Sequence, residues 1–206
     1  MAGAGGPFTH VGGIARLDLN EHLGVSGGLF LGWDVWDDDH DALTPYAGFS
    51  WSPSDRDALT ANLIVGAERP QDDDDLRSVL DVTWTREWDA CWQSALNVDV
   101  GLEQGAAGGD DATWWGAAGY LTRRVTPCLS ATARGELFRD VDGTRLGQRA
   151  SLGGVTFGLD WTPKTPFPIF HIRPEIRWDH SFEGALFDGG SSHDQLTFTV
   201  ECIIGF

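Results

Sequence analysis

The stretch FHIRPEIRWD, Phe170–Asp179, alternates without a slip. Phe170, Ile172, Pro174, Ile176 and Trp178 fall on one side, His171, Arg173, Glu175, Arg177 and Asp179 on the other. Successive side chains of a strand point to opposite faces, so this is a strand with one greasy face and one charged face. The chain ends the same way, in DQLTFTVECIIGF, Asp194–Phe206. Leu196, Phe198, Val200, Cys202, Ile204 and Phe206 oppose Gln195, Thr197, Thr199 and Glu201. Further upstream, Trp92, Leu96, Val98, Val100 and Leu102 oppose Gln93, Asn97, Asp99 and Glu103, while Val155, Phe157, Leu159 and Trp161 oppose Thr156, Gly158 and Asp160.

Extended across the chain, this period predicts eleven strands over approximately 8–20, 23–36, 43–52, 58–68, 77–88, 91–103, 113–125, 128–140, 152–162, 168–181 and 194–206, each bounded by Gly, Pro, Asp, Asn or Ser. No amphipathic helix competes with it. Period two alone does not separate a soluble sandwich, whose polar face is outside, from a membrane barrel, whose polar face lines a lumen.

Two patterns favour the barrel. Trp33, Trp36, Trp51, Trp84, Trp88, Trp92, Trp114, Trp115, Trp161 and Trp178 stand near predicted strand ends, as in the aromatic girdles that form at the two membrane interfaces. The connections also alternate. Short ones fall at 20–21, 52–57, 87–90, 126–127 and 163–166, and longer Gly- and Asp-rich ones at 37–42, 69–75, 104–112, 141–151 and 181–193. Tight periplasmic turns and longer external loops produce this asymmetry in outer-membrane barrels, and a sandwich has little reason to keep it. A hairpin-scale repeat agrees: WSPSDRDALTANL (Trp51–Leu63) and WTPKTPFPIFHI (Trp161–Ile172) each place a proline after a tryptophan before the next strand rises.

Composition sets the limits. The 206 residues are 41% hydrophobic and 22% charged, as in a folded chain, with 27 Gly and 10 Trp pointing to strands and turns. The net charge of -17 would repel a phosphate backbone, which excludes a nucleic-acid partner and makes cations the natural company. The acidic runs WDDDHD (Trp36–Asp41) and PQDDDD (Pro70–Asp75) read as solvated loop tips, with no metal site assigned. Cys91, Cys128 and Cys202 have neither disulfide-framework nor zinc spacing. DVDGT (Asp140–Thr144) lacks the later carboxylates of a calcium loop and reads as a turn, so no metal or cofactor is expected. No apolar run reaches the ~20 residues of a membrane helix, and MAGAGGPFTH has neither a charged nor an apolar signal region.

The segments GWDVWDDDHDALTPYAGFSWSPS (Gly32–Ser54), GAERPQDDDDLRSVLDVTWT (Gly66–Thr85), GDDATWWGAAGYLTRRVTP (Gly109–Pro127), RGELFRDVDG (Arg134–Gly143), RPEIRWDHS, FDGG and the final strand span most of the chain. In that order the chain resembles the OmpL-like β-barrel porins. The resemblance implies an all-β fold: an antiparallel up-and-down transmembrane β-barrel of about 10–12 strands, closed or partial, in the bacterial outer membrane. It also implies that Phe206 is the aromatic C-terminal signal read by the assembly machinery. Bacterial barrels have an even strand number. Eleven strands counted back from a periplasmic Phe206 lead us to expect one domain over 1–206 that lacks its signal and first strand or strands.

If the polar faces line a lumen, the pore-lining candidates are Asp81, Asp99, Arg134, Glu136, Asp160, Arg173, Glu175, Arg177, Asp179 and Glu201. Acids outnumber arginines, so the expected function is a passive porin for small hydrophilic solutes with a weak preference for cations. The row Arg173, Glu175, Arg177, Asp179, facing Thr199 and Glu201, reads either as a constriction or as a structural ion-pair ladder. The expected partners are outer-membrane lipid and lipopolysaccharide, the assembly machinery, and solutes or cations. The alternative is a structural or adhesive barrel with a plugged lumen. An outer-membrane hydrolase would have only Asp179, His180, Ser181 and His193 to work with, and no GxSxG-like stretch accompanies them, so the expectation is not an enzyme.

Overall fold

The computed structural model describes residues 6, 9–36, 43–69, 72–165, 167 and 169–205. They form β1 (Gly12–Asn20), β2 (Leu23–Phe30), β3 (Thr44–Ser54), β4 (Asp57–Arg69), β5 (Asp72–Glu87), β6 (Trp92–Ala107), β7 (Asp110–Thr126), β8 (Leu129–Asp140), β9 (Ala150–Trp161), β10 (Ile169–Ser181) and β11 (Asp194–Gly205). Every strand pairs antiparallel with the next one in sequence, giving a single up-and-down sheet.

One face of this sheet is rolled inward. Arg145, in the connection after β8, lies 5.4 Å from the ring centroid of Trp33, which follows β2, and 5.0 Å from that of Trp114 on β7. Elements so far apart in strand order meet only across a concave surface. Among the described residues no ladder joins β1 to β11, so the sheet is not closed and these two strands form its edges.

The distribution of polarity is inverted relative to a soluble sandwich. The outward face exposes Phe49, Trp51, Leu63, Leu96, Leu121, Phe157, Leu159, Ile176, Phe198 and Val200, while Asp99, Glu103, Glu136, Asp140, Thr156 and Asp179 are buried on the inward one. Water would not stabilise that arrangement, whereas hydrocarbon outside and hydrated groups inside would.

Local chemistry closes the short turns. The Asn20 Oδ1 accepts the His22 amide at 2.8 Å, Ser54 Oγ donates to Asp57 Oδ2 at 2.8 Å, and Asp89 Oδ1 accepts the amides of Cys91 and Trp92 at 2.7 and 2.9 Å. These side chains reproduce the bonds of a backbone turn, so the strands reverse in a few residues.

The opposite end departs from expectation in two places. Where the sequence predicts longer loops, over 69–75 and 104–112, the ladders continue: Arg69 pairs with Asp72, residues 70–71 lying outside the described ones, and Ala107 pairs with Asp110 across Gly108–Gly109. Polar residues pair well where both faces of a hairpin meet water, and Gln104 Oε1 fastens the extension by accepting the Leu76 amide at 2.9 Å. The long connections are 31–43, whose expected loop 37–42 lies outside the described residues, 141–149 and 182–193. At the other end of the prediction, β2 stops at Phe30 instead of 36, where the backbone leaves strand geometry at Gly32, φ 149°, and again at Asp34, φ 60°.

Candidate functional site

All ten pore-lining candidates share the inward face. Register links Asp81 to Asp99, Glu136 through Gly154 to Asp179, Arg134 through Thr156 to Arg177, and Arg173 to Glu201, while Asp160 and Glu175 follow by alternation on the same strands. They do not form one uniform ring. The wall made by β8–β11 is ion-paired, and the wall made by β4–β6 is acidic.

On the paired wall Arg177 grips Asp179 with two bonds, Nε to Oδ2 at 2.8 Å and Nη2 to Oδ1 at 2.6 Å, and its Nη2 also meets Glu136 on β8. Arg134 completes the group, 3.4 Å from Glu136 Oε2 and donating to Thr156 Oγ1 at 3.2 Å. The reach across β9 requires Gly154: a β-carbon there would lie 2.9 Å from Asp179 Oδ1 and 3.1 Å from Arg177 Nη2. Toward the short-turn end Arg173 sits between Asp160 at 3.4 Å and Glu201 at 3.3 Å, and His171 Nδ1 lies 2.7 Å from Asp160 Oδ1. Only Arg173 of the row on β10 therefore turns toward Glu201. Arg177 and Asp179 turn the other way, toward β8.

On the acidic wall Asp81 and Asp99 stand directly opposite each other on β5 and β6. Asn97 Nδ2 donates to Asp81 Oδ2 at 2.5 Å, and beside it the Tyr46 hydroxyl donates to Asn62 Oδ1 at 2.6 Å. Two inward levels nearer the long-loop end Arg77 pairs with Glu103 at 2.6 Å and lies 4.8 Å over the Trp33 ring.

The long-loop end of the interior is apolar. Phe30, Trp33, Ile64, Val79, Trp114, Phe138 and Leu152 form one buried cluster, with Leu146 from the connection 141–149 and Leu186 and Phe187 from 182–193 packed against it. The connection 141–149 is folded inward by Asp140, whose carboxylate accepts the amides of Gly143, Arg145 and Leu146 at 2.8–2.9 Å. Arg145 is thereby laid against both indoles. Burial and the neighbouring Arg77 charge pull its guanidinium below its ordinary pKa, opposed by Glu103, Asp140 and Asp34.

Two residues expected in the aromatic girdles are in this cluster instead: Trp33, 8% exposed, and Trp114, 0% exposed. Trp114 and Trp115 are consecutive in one strand and must face opposite ways; register with Gly101 puts Trp114 inside. Trp33 lies outside any strand, so alternation does not govern it. Trp51, Trp84, Trp92, Trp115, Trp161 and Trp178 point outward by register. Trp88 sits in the turn before β6, its Nε1 donating to Ser94 Oγ at 2.9 Å beneath Arg86, and Trp36 is 84% exposed in the connection after β2. Phe206 lies outside the described residues.

The sequence did not point to Arg145, since a loop has no period, whereas Asp140 ends β8 and shares the parity of Glu136. Arg77 and Tyr46 could have been found by parity, because they share a face with Asp81 and Ser50. The hydrolase candidates are split by the strand itself: Asp179 and Ser181 face inward, while His180 faces outward and meets Asp194 Oδ1 at 2.9 Å.

These features match known proteins. A solved structure titled as the NanC porin in a rhombohedral crystal form is 11% identical, with 94% of this chain and 91% of that chain covered at a TM-score of 0.53. At that identity the likeness is one of fold. No curated protein sequence matches the chain significantly. The family described as "Putative beta-barrel porin-2, OmpL-like" matches residues 1–206. With an up-and-down sheet, apolar outside and charged inside, the chain belongs to this OmpL-like β-barrel porin family.

Proposed function

We propose that this porin is a passive diffusion channel of the bacterial outer membrane, admitting small hydrophilic solutes with a weak preference for cations. The observation that carries the reading is the asymmetry of the inward face: the arginines of β8–β11 are neutralised by Glu136, Asp179, Asp160 and Glu201, while Asp81 and Asp99 have no ion-pair partner among the described residues. A water-filled bore with that residual charge concentrates cations and depletes anions. In this reading the outward face meets lipid and lipopolysaccharide, the capped turns face the periplasm and the long connections face outside. The chemistry is translocation, with no bond made or broken.

Planar-bilayer recording in a potassium chloride gradient tests it. A reversal potential of the sign for potassium over chloride is expected. A silent bilayer with folded protein, or firm anion preference, overturns the proposal.

A second reading is a structural barrel closed by its own side chains. It is favoured by the apolar cluster around Trp33 and Trp114 at the long-loop end, with Arg145 laid across it. Solute flux separates the two, because a plugged barrel resists heat and passes nothing.

A further inference from the structure

Asp99 is 8% exposed, and its Oδ2 is buried without a hydrogen-bond partner among the described residues. It opposes a second carboxylate, Asp81, and like charges directly across a ladder repel. The nearby arginines are engaged elsewhere, Arg77 with Glu103 and Arg134 and Arg177 with Glu136. Both aspartates line a recess of about 300 Å³ whose other walls include Tyr46, Asn62, Ile64 and Val79. An anionic floor, an unanswered buried acceptor and apolar sides call for a ligand that is cationic at one end and aliphatic along its body.

We infer that this recess is a binding site for a small organic cation, a primary ammonium on a short aliphatic chain. The ammonium supplies the donor that Asp99 Oδ2 lacks, adds its charge to the Asn97 amide already donating to Asp81, and cancels the repulsion between the two carboxylates, while its methylenes rest on Ile64 and Val79 and against the Tyr46 ring. A bare divalent ion fits poorly: calcium takes six to eight oxygens, and among the described residues no group of three His, Cys, Asp or Glu side chains converges to hold a metal. The volume lies at the small end of ligand pockets, which sets the size of the guest. The site deepens the channel reading and rests on it, giving the acidic wall a stopping point for amines.

The test is titration calorimetry of the whole chain, folded in detergent micelles, with n-butylammonium chloride, n-butanol and calcium chloride as probes. Saturable binding of n-butylammonium is expected, with none for the neutral isostere. Asp99→Asn should weaken it by about tenfold or more, as loss of a charged hydrogen bond does. If that variant loses heat-modifiable migration, Asp81→Asn, which removes charge from a less buried position, carries the same expectation. Absence of saturable binding to the wild type, binding unchanged in a folded variant, or tighter calcium than amine binding overturns the site. Potassium conductance without amine binding defeats the site alone, whereas amine binding in a barrel that does not conduct upholds the site and defeats the channel.

Discussion

The Trp114 indole lies over Gly101, its direct partner across the β6–β7 ladder, so closely that a β-carbon at Gly101 would sit 2.0 Å from Trp114 Cε2. The indole has no room to retreat inside the apolar cluster. Gly101→Ala should therefore destabilise the barrel by about 1–3 kcal/mol, the usual penalty for overpacking. Urea unfolding in liposomes followed by tryptophan fluorescence measures it. Adding Trp114→Leu should recover part of the loss, since residues in contact do not act additively. Equal destabilisation by the single and double variants would break the claimed contact.

Trp115, the very next residue, points the opposite way and is 39% exposed. In single-tryptophan variants reconstituted with brominated lipid, Trp115 should be strongly quenched and Trp114 left bright. Quenching of both to the same degree would mean that the inward assignment of Trp114 is wrong.

Arg177 supplies the central cation of the paired wall, and its side chain is 15% exposed beside Glu136 and Asp179 at 3% and 8%. Arg177→Met takes from the buried Asp179 its ion-pair partner and from Glu136 the closer of its two arginines, which costs about 3 kcal/mol. The triple variant with Glu136→Gln and Asp179→Asn should regain most of that, because the uncompensated charge rather than the missing contact is the expensive part. The same unfolding assay decides: a triple variant no more stable than Arg177→Met would count against an electrostatic origin.

Much of this face was readable from FHIRPEIRWD and its neighbours. Once a strand is known to have one apolar side, parity places Arg173, Arg177 and Asp179 together, and any error would have to be a whole-residue slip. Parity could also have warned about Trp114, since two consecutive tryptophans cannot both face lipid; composition near a strand end pulled the other way. What parity lacks is register and depth. That Arg177 spans β9 to Glu136 depends on a glycine on the intervening strand, and that Arg145 covers Trp33 depends on how a loop folds after Asp140. Neither relation leaves a periodic trace in the chain.

Glu183 opens the connection between β10 and β11 and fastens it to β9. Its carboxylate accepts the Ser151 amide and, at 3.0 Å, the Ser151 hydroxyl, and it pairs with Arg139. The Ser151 amide, before the Arg139 charge, holds the carboxyl below its ordinary value of 4.5. A depressed carboxyl contributes stability that is complete above the ordinary value and lost as pH falls through the folded one. Hydrogen exchange at the Ser151 amide, corrected for its intrinsic rate, should therefore be flat from neutral pH to about 4.5 and accelerate below it. Glu183→Gln should exchange faster at neutral pH and lose that acid step. An unchanged step in the variant would assign it to another group.

In the channel reading the connection 141–149 narrows the bore, because Arg145 crosses the apolar cluster and Asp140 gathers the amides of Gly143, Arg145 and Leu146. Asp140 is fully buried, so Asp140→Ala strands those donors at about 1–3 kcal/mol apiece unless the loop moves to water. Moving is the cheaper outcome, and it lifts Arg145 from Trp33 and Trp114. Single-channel conductance should then rise above wild type, whereas Arg145→Ala, which keeps the loop but removes its cation, should raise it less. Should neither variant change conductance in folded protein, the inward loop does not limit flow and the constriction lies lower, along the paired wall of Arg134, Glu136 and Arg177.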